Sequence, residues 1–293
     1  MSSQIPLDAA CLAPVSDLGD GLNSLTDDLA CLRLSIVNCV FHGRPGGEDW
    51  VLVDTGLSTS TSTIRDRAER RFGSGTRPAA IILTHGHFDH VGSAATLAEE
   101  WDVPVHAHPL EFPYLNGSAS YPPADPWVGG GLMALLSPLY PRDPVDLGAR
   151  LQALPADGTV PGMPGWRWLH TPGHAPGHVS LWREADRSLI AGDAVIATGQ
   201  ESAYEVMVQQ PEMHGPPRYF TPDWDAARGS AQQLAALEPQ LLVTGHGPAL
   251  AGAGMRQALH RLARDFDRIA IPAGGRYARN PATVENGDIY RDP

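Results

Sequence analysis

The most constraining feature of the sequence is a cluster of three histidines and one aspartate directly after a short apolar segment, residues 80–83. A continuous apolar run of that length is typical of a buried strand. Side chains two positions apart in an extended chain point the same way, so His85 and His87 can bind one metal ion together. Asp89 and His90, where the chain turns into a predicted helix, can reach a neighbouring ion. Imidazole and carboxylate groups suit zinc, and also iron, nickel or manganese.

Two ligands for each ion are too few, so further ligands must come from other parts of the chain. Several histidines and one aspartate lie in or beside short predicted strands farther along the sequence. Ligands grouped at strand ends along one edge of a sheet are a common way for α/β enzymes to build a site. The candidates are His170, His174, His178, Asp193 and His246.

Apolar periodicity predicts strands that alternate with helices. Strands are expected in residues 31–41, 50–53, 80–83, 103–106, 166–169, 178–182, 188–191 and 241–243. Helices are expected in residues 64–72, 91–101 and 255–269, and another is expected to begin with Thr221 as N-cap and Pro222 at its first position. This order predicts two αβ halves that form one α/β sandwich.

Two irregular stretches and a tail interrupt this pattern. Residues 109–165 are rich in proline and glycine, so no regular sheet is expected there, and 132–139 is their one predicted helix. Residues 199–219 form a second loop-rich stretch, and the residues after 272 form a polar, irregular tail. We interpret residues 1–293 as a single domain in which the 109–165 insertion is either a lid over the site or the contact of a homodimer.

Composition disfavours several functions. The formal net charge of −12 argues against a nucleic-acid partner, because phosphate binding usually needs a basic surface. No apolar stretch approaches the ~18–20 residues of a membrane span, and the N-terminus lacks the features of a secretory signal. Three cysteines, an odd and small number, indicate no disulfide framework and a reducing compartment. We therefore expect a cytoplasmic protein with a small-molecule substrate and no membrane partner.

Five short motifs also follow one another along the chain: Asp54-Thr55-Gly56, His85-x-His87-x-Asp89-His90, Thr171-Pro172-Gly173-His174, Ala191-Gly192-Asp193 and Thr244-Gly245-His246-Gly247. In this order they resemble the motifs of the metallo-β-lactamase-fold hydrolases. Each of the shorter motifs is weak evidence alone, but the five in order span most of the chain and are specific together.

The resemblance implies a four-layer αββα sandwich with two divalent metal ions at one edge, zinc first and iron or manganese as alternatives. The implied ligands are His85, His87 and His174 for one ion and Asp89, His90 and His246 for the other. Asp193 would bridge the two ions, and Asp54 would orient a ligand histidine through a hydrogen bond. His170 and His178 are not ligand positions in this pattern, and we expect His178 to be structural.

The resemblance further implies a binuclear hydrolase. Two ions that share a water lower its pKa, so that a bridging hydroxide exists near neutral pH and attacks a carbonyl carbon or a phosphorus. Asp89 is then expected to receive the proton and pass it to the leaving group. Because Asp193 is present, the pattern favours enzymes that cleave a thioester or lactone over true β-lactamases. A mononuclear iron persulfide dioxygenase, a β-lactam hydrolase and a non-catalytic binding protein are the alternatives.

Substrate contacts are expected from the irregular stretches. A lactonase of this type uses a tyrosine soon after the bridging aspartate, and Tyr204 and Tyr219 are the candidates. His214 is a third predicted substrate contact. A glutathione thioesterase would instead bind the substrate carboxylates through arginines of the last predicted helix. These arginines are Arg256, Arg261 and Arg264.

Overall fold

The computed structural model describes residues 4–19, 21–284 and 290–291. The strands are β1 (Ile5–Pro6), β2 (Ser16–Asp17), β3 (Leu22–Ser24), β4 (Leu29–Arg33), β5 (Asn38–His42), β6 (Val51–Val53), β7 (Ala80–Ile82), β8 (Val105–Ala107), β9 (Leu151–Ala153), β10 (Trp166–His170), β11 (Val179–Arg183), β12 (Ser188–Gly192), β13 (Glu212–Met213), β14 (Leu241–Thr244), β15 (Leu250–Ala251), β16 (Thr283–Val284) and β17 (Tyr290–Arg291).

The helices are α1 (Thr61–Phe72), α2 (Phe88–Val91), α3 (Ala94–Trp101), α4 (Phe112–Leu115), α5 (Leu132–Leu136), α6 (Ala203–Val208), α7 (Trp224–Ala236), α8 (Gly252–Arg264) and α9 (Phe266–Ile269). Short 3-10 turns occupy Ala9–Cys11, Pro109–Glu111, Ser137–Leu139, Gly148–Arg150 and Arg218–Phe220. Strands β2 to β9 form an eight-stranded sheet in chain order, and a second sheet has the order β10-β11-β12-β14-β15.

The two sheets pack against each other through alternate residues of their strands, because successive side chains of a strand face opposite sides. Ala80 and Ile82 of β7 belong to a core that also contains Leu181 of β11 and Val243 of β14. Ile81, between them, faces the other way and packs in a cluster with residues of α1 and α3. Burial of each such aliphatic side chain stabilises the fold by about 1.5–3 kcal/mol.

The outer face of the second sheet is covered in the same manner. Leu242 of β14 packs with Leu234 of α7 and Leu259 of α8. The order of layers is therefore helix, sheet, sheet, helix, and the predicted αββα sandwich is confirmed. The predicted helix at 64–72 is also confirmed, since Ile64, Ala68 and Phe72 are its buried face.

The ends of three strands lead directly to predicted metal ligands. β7 ends shortly before His85, β12 ends just before Asp193, and β14 ends just before His246. β6, β7, β8 and β9 run parallel to one another, and so do β12 and β14. Because parallel strands present their carboxyl ends at one edge, this topology gathers the loops that carry the ligands.

The prediction of one strand over residues 31–41 is wrong. The segment is an antiparallel hairpin of β4 and β5, in which Leu32 pairs with Cys39. Its turn is closed by the Leu34 N–H, which donates to the Val37 carbonyl at 3.0 Å. The turn contains neither glycine nor proline, so the sequence carries no breaker that would reveal it. The predicted strand at 50–53 is β6, which pairs with β5.

The prediction of Thr221 as a helix N-cap is also wrong. α7 begins at Trp224, and the Asp223 carboxylate caps it by accepting a hydrogen bond from the Ala226 N–H at 3.0 Å. The Thr221 hydroxyl donates instead to the Pro217 carbonyl at 2.7 Å, so it is not available to cap the helix. An N-cap aspartate is as favourable as threonine, and the sequence pattern does not separate the two.

Two further elements differ from the expectation. The 109–165 insertion contains β9, a three-residue edge strand parallel to β8, although no regular sheet was expected there. Such a short edge strand tolerates the surrounding prolines because they lie outside it. The predicted helix 255–269 is interrupted at Asp265, where φ is −105° and ψ is 23°, and therefore becomes α8 and α9.

The tail after residue 272 packs against the insertion rather than extending away from it. The Tyr277 hydroxyl donates to the Pro123 carbonyl at 2.7 Å, and the Ala282 N–H donates to the Pro222 carbonyl at 3.0 Å. Residues 285–289 and 292–293 of the predicted tail, like residues 1–3, lie outside the described residues. Within the described part of the chain, no helix is both long enough and apolar enough to cross a membrane.

Candidate metal centre

The seven predicted metal ligands converge at one place, although they come from several loops. In the described residues, three groups have ligand atoms within 4.8 Å of one another. None of the seven side chains belongs to a residue more than 7% exposed. The groups are His85 with His87 and His174, His85 with His90 and Asp193, and Asp89 with His90 and His246.

His85 and His87 reach the site from the extended segment that follows β7. His87 has φ −66° and ψ 151° immediately before α2, so the chain stays extended up to this residue. The Thr84 hydroxyl donates its one hydrogen to Asp54 at 2.8 Å. Its oxygen therefore accepts from the His85 Nδ1–H at 3.1 Å. His85 Nε2 is thereby left with a lone pair that points into the site. His87 Nδ1 lies 2.8 Å from His174 Nε2, which brings two imidazole nitrogens of one group together.

Asp54 holds His90 in the orientation that the sequence analysis anticipated. Its carboxylate accepts from the Thr84 N–H at 2.8 Å and from the His90 Nδ1–H at 2.9 Å. His90 Nε2 is then the free nitrogen and faces the site. Asp54 has a φ of 59°, in the left-handed region that aspartate tolerates better than most residues.

The remaining two histidines are fixed in the same way. The Thr221 hydroxyl, which donates to the Pro217 carbonyl, accepts from His174 Nδ1–H at 3.3 Å. His246 Nδ1–H donates to the Ile36 carbonyl at 2.6 Å. Each Nε2 atom is therefore turned inward, as in metal-binding histidines whose other nitrogen is held by the protein.

The turn of the β4–β5 hairpin also holds the loop that carries His246. Asn38 donates from its side-chain amide to the Thr244 carbonyl at 2.9 Å and to the Gly247 carbonyl at 2.8 Å. Its backbone N–H donates to the Gly245 carbonyl at 2.7 Å. This support was not predicted, because residues 31–41 were expected to form one strand.

Asp193 lies between the two ligand groups. Its Oδ2 is 3.0 Å from His246 Nε2 and 3.4 Å from His174 Nε2, and its Oδ1 is 3.5 Å from His90 Nε2. The residue before it, Gly192, has a φ of 53°, and a Cβ there would lie 2.6 Å from His178 Nε2. Only glycine therefore lets the chain enter the site at this point.

His178 positions Asp193 and is not a ligand. Its Nε2 accepts from the Asp193 N–H at 2.9 Å, and its Nδ1–H donates to the Thr171 hydroxyl at 2.9 Å. Burial lowers the pKa of His178 to about 3, so the imidazole is neutral and can accept that bond. This agrees with the expected structural role. His170 is also engaged elsewhere, since its Nε2 bonds the Pro176 carbonyl at 2.7 Å.

The electrostatics of the site favour bound cations. Burial, followed by the neighbouring imidazoles, lowers the pKa of His87 to about 3 and those of His85 and His174 well below 6.5. Burial also opposes charge on His90 and His246, but Asp193 and the other nearby carboxylates together outweigh it and raise the pKa of both. The group thus combines neutral nitrogen lone pairs with carboxylates that attract positive charge.

Orphaned buried atoms test whether these residues fit metal ions. His85 Nε2, His90 Nε2 and Asp193 Oδ1 are buried and have no hydrogen-bond partner among the described residues. Leaving such atoms unpaired costs about 1–3 kcal/mol each, and each is a ligand atom of the predicted centre. The residues therefore fit divalent metal ions, with nitrogen and oxygen donors that zinc, iron and manganese all accept.

Only one of the three predicted substrate contacts lies beside this centre. A cavity of about 10 Å³ adjoins two of the ligand histidines. Its lining residues are His87, Tyr121, Pro122, Pro123, His174, Tyr219, Phe220, Pro222 and Tyr277. Tyr219 is among them, whereas the structure does not bring Tyr204 or His214 to the cavity.

Tyr204 and His214 lie away from the cavity for different physical reasons. Tyr204 lies on α6 and is 64% exposed. His214 is buried, and its Nε2 lies 3.2 Å from the Glu201 carboxylate. A tyrosine and a histidine close in sequence to a site were expected to face it, but chain proximity does not fix side-chain direction.

Comparison with known proteins agrees with this geometry. The family model described as "Metallo-beta-lactamase superfamily" matches residues 32–246. The probable metallo-hydrolase YflN of Bacillus subtilis (strain 168) is 48% identical over 239 residues, which cover 81% of this chain and 90% of that protein. A hydroxyacylglutathione hydrolase of Bdellovibrio bacteriovorus is 31% identical over 132 residues, covering 45% and 40% of the two chains.

The fold is similar to that of solved metallo-beta-lactamases. The structure described as Rm3 metallo-beta-lactamase superposes with a TM-score of 0.58 at 19% identity and covers 86% of this chain and 94% of its own. That likeness concerns the fold alone, whereas the match to the family model, residues 32–246, includes every predicted ligand from His85 to His246. The chain therefore belongs to the metallo-beta-lactamase superfamily and is a metal-dependent hydrolase.

Proposed function

We propose that the protein binds two divalent metal ions, zinc by preference, and hydrolyses an ester-type bond, a lactone or an uncharged thioester, in a small molecule. The observation that carries the proposal is the pair of ligand groups on either side of Asp193. A carboxylate between two sets of inward-facing imidazoles suits a site for two cations better than a site for one.

The ions and the protein have separate tasks in this hydrolysis. When bound, the ions activate a water molecule as the nucleophile and polarise the substrate oxygen. Asp89 is the residue that would take the proton from that water. Its Oδ2 lies 3.6 Å from His246 Nε2 within the second ligand group, which leaves Oδ1 to hold the proton and deliver it to the leaving group.

Aromatic side chains exclude bulk water from the centre. The ring centroids of Tyr121 and Phe220 lie 4.4 Å and 5.1 Å from that of His87. The adjoining cavity of about 10 Å³ is far smaller than the roughly 300–1,000 Å³ of a typical ligand pocket. Substrate entry therefore requires this wall to move, which supports the interpretation of the insertion as a lid.

The lining of the cavity supports an uncharged substrate. The sequence contains no lysine, and no arginine is among the described residues that line the cavity. Arg218 directly precedes the lining residue Tyr219 in sequence, but its guanidinium donates to the Ile269 and Ala270 carbonyls. A substrate carboxylate would thus lack a cationic partner beside the metals, and burying it there would be costly.

Two of the three arginines that were predicted to bind glutathione, Arg256 and Arg264, have other partners. Arg256 donates to the Gln240 side chain at 2.7 Å, and Arg264 donates to Asp265 at 3.0 Å. The hydroxyacylglutathione hydrolase relative supports an ester-type bond in the substrate. The cavity lining, in contrast, supports an acyl carrier other than glutathione, one without carboxylates. A lactone or a thioester of an uncharged thiol meets both conditions.

A hydrolysis panel on metal-loaded protein tests this function. The panel comprises lactones, a thioester of an uncharged thiol, an S-acylglutathione, an aryl ester, a phosphodiester and a β-lactam. We expect the lactone or the uncharged thioester to give the highest kcat/KM and S-acylglutathione to be slower. A preference for the phosphodiester or the β-lactam would contradict the proposed substrate class.

Metal analysis of the same sample tests the binuclear centre. We expect about two ions per chain, and His87→Ala should lose activity by several orders of magnitude while it stays folded. One iron per chain together with oxygen consumption would identify a dioxygenase instead. A folded His87→Ala protein with normal activity would contradict the assignment of the ligands.

A further inference from the structure

We propose that Glu111, together with Tyr121, is a positioning pair that sets the three-histidine half of the metal centre by joining the two loops that carry it. This inference rests on the proposed two-metal site. Neither residue belongs to the motifs of the sequence analysis, and both lie inside the 109–165 insertion.

Glu111 bonds both ligand-bearing loops with one carboxylate. It ends the 3-10 turn Pro109–Glu111 after β8 and is fully buried. Its Oε2 accepts from the Gly86 N–H at 2.9 Å, between the ligands His85 and His87. Its Oε1 accepts from the Gly177 N–H at 2.7 Å, in the loop that carries His174. One side chain therefore fixes the distance between segments that follow different sheets.

Tyr121 adds a second contact to the same point. Its hydroxyl donates to Glu111 Oε2 and accepts from the Gly86 N–H at 3.0 Å. Its ring lies against that of His87, with 4.4 Å between centroids. Tyr121 thus bonds the backbone beside His87 and limits the rotation of its imidazole.

The two glycines allow this close approach. A Cβ at Gly177 would lie 2.8 Å from Glu111 Cγ and 2.9 Å from the Glu111 backbone nitrogen. A Cβ at Gly86 would lie 2.8 Å from the Tyr121 hydroxyl. Both contacts are closer than real Cβ atoms show, so the loops are shaped to receive this carboxylate and this phenol.

The other half of the centre is held without Glu111. His90 is oriented by Asp54 and His246 by the Ile36 carbonyl. Loss of the positioning pair should therefore affect His85, His87 and His174 more than Asp89, His90 and His246. A side chain that only filled space would not distinguish the two halves.

A buried carboxylate is chemically suited to this task because all its neighbours are donors. Two amide N–H groups and one hydroxyl converge on it, which offsets part of the cost of burying a charge. Glutamine would keep one acceptor oxygen but turn an NH2 group toward one of the two amides. Glu111→Gln therefore breaks one side of the link without creating a cavity.

The test measures metal affinity in two backgrounds, each with one half of the centre disabled. His246→Ala keeps the three-histidine half, and His87→Ala keeps the other half. Glu111→Gln is added to each, and Co²⁺ is titrated against a competing chelator while its visible absorption is recorded. We expect Glu111→Gln to weaken Co²⁺ binding about tenfold or more in the first background and less than about threefold in the second.

Tyr121→Phe and Tyr114→Phe form a matched pair that keeps the test decisive if Glu111→Gln folds poorly. The two rings stack with 4.0 Å between centroids, but the Tyr114 hydroxyl accepts from the Tyr290 N–H and touches neither ligand loop. Tyr121→Phe should weaken Co²⁺ binding several-fold and change its spectrum in the first background only, whereas Tyr114→Phe should change neither.

The outcomes separate the inference from the proposed function. If the parent protein binds fewer than two ions, the proposed two-metal function fails. If the parent binds two ions and the variants weaken both backgrounds equally, or neither, the positioning role is overturned. Melting temperatures of the metal-free variants show whether an equal loss reflects a general loss of stability.

Discussion

Asp54 shows how one residue links backbone conformation to metal ligation. Its left-handed φ of 59° turns the chain so that the carboxylate meets the Thr84 N–H, the Thr84 hydroxyl and His90 Nδ1. The Thr84 hydroxyl in turn orients His85. A single carboxylate outside the proposed ligand set therefore orients two of the proposed ligand histidines, one in each half of the proposed centre.

We predict that Asp54→Asn weakens metal binding by about 10–100-fold. The asparagine NH2 group would replace a carboxylate oxygen that now accepts a hydrogen bond, so it would face another donor and that bond would be lost. The measurement is competition of the metal-loaded protein with a chelator. Asp157→Asn, at an exposed turn where the carboxylate bonds only Thr159, is the matched control and should bind metal like the parent. Equal affinities for Asp54→Asn and the parent would show that His90 does not need this carboxylate.

At the scale of elements, Glu201 links the two irregular stretches through its backbone and joins both ends of the second stretch through a buried ion pair. The Glu201 carbonyl accepts from the Met133 and Ala134 N–H groups at the start of α5. The Glu201 carboxylate lies 3.2 Å from His214 Nε2 and accepts from the Arg218 N–H at 3.3 Å. His214, which was predicted to contact substrate, therefore helps to fix the segments on either side of α6.

The pH dependence of stability follows from the pKa values of this pair. Burial would raise the pKa of Glu201, but His214 outweighs it and lowers the pKa from 4.5 to about 2. Burial would lower the pKa of His214, but Glu201 raises it above 6.5. The contribution of Glu201 is lost as pH falls from 4.5 toward 2, and that of His214 is lost as pH rises through its folded-state pKa. Stabilisation by the pair is therefore largest between pH 4.5 and 6.5.

We predict that the loss of unfolding free energy in Glu201→Gln, relative to the parent, peaks in that window. The measurement is denaturant unfolding of both metal-free proteins across pH, so that protonation of the metal ligands cancels in the difference. Glu100→Gln, which removes an exposed pair with Arg65, should change stability by no more than about 1 kcal/mol at any pH. A difference for Glu201→Gln that does not vary with pH would contradict the pairing.

The sequence predicts the strands, the helices and the candidate ligands of this protein better than it predicts the residues that hold those ligands. A short continuous apolar run located β7, a period of four located α1, and the five motifs named a ligand set that the structure brings together. Residues that support the ligands were harder to predict. Asn38 lies beyond a turn without glycine or proline, and Glu111 meets Gly86 and Gly177 only after the sheets have packed. Such contacts join parts of the chain that are far apart in sequence, so no local sequence pattern predicts them.

At the scale of the whole molecule, the tail and the insertion together close the metal centre. Tyr277 of the tail lines the cavity beside His87 and His174, and its hydroxyl bonds the Pro123 carbonyl. The Arg276 N–H donates to the Asp125 carboxylate, so two successive tail residues hold the insertion. Exchange of substrate, water or metal with the centre therefore depends on how firmly the tail is attached.

We predict that Tyr277→Ala increases the rate at which a chelator removes metal from the folded protein several-fold, because it opens one wall of the cavity. Stopped-flow measurement with a coloured chelator gives this rate, and Tyr277→Phe, which keeps the ring but loses the hydrogen bond to Pro123, should lie between Tyr277→Ala and the parent. Tyr204→Ala is the control, because Tyr204 is exposed and does not line the cavity. If Tyr277→Ala and Tyr204→Ala release metal at the parent's rate, the centre opens by a route that does not involve the tail. A slower release from Tyr277→Ala would likewise contradict the closing role of this segment.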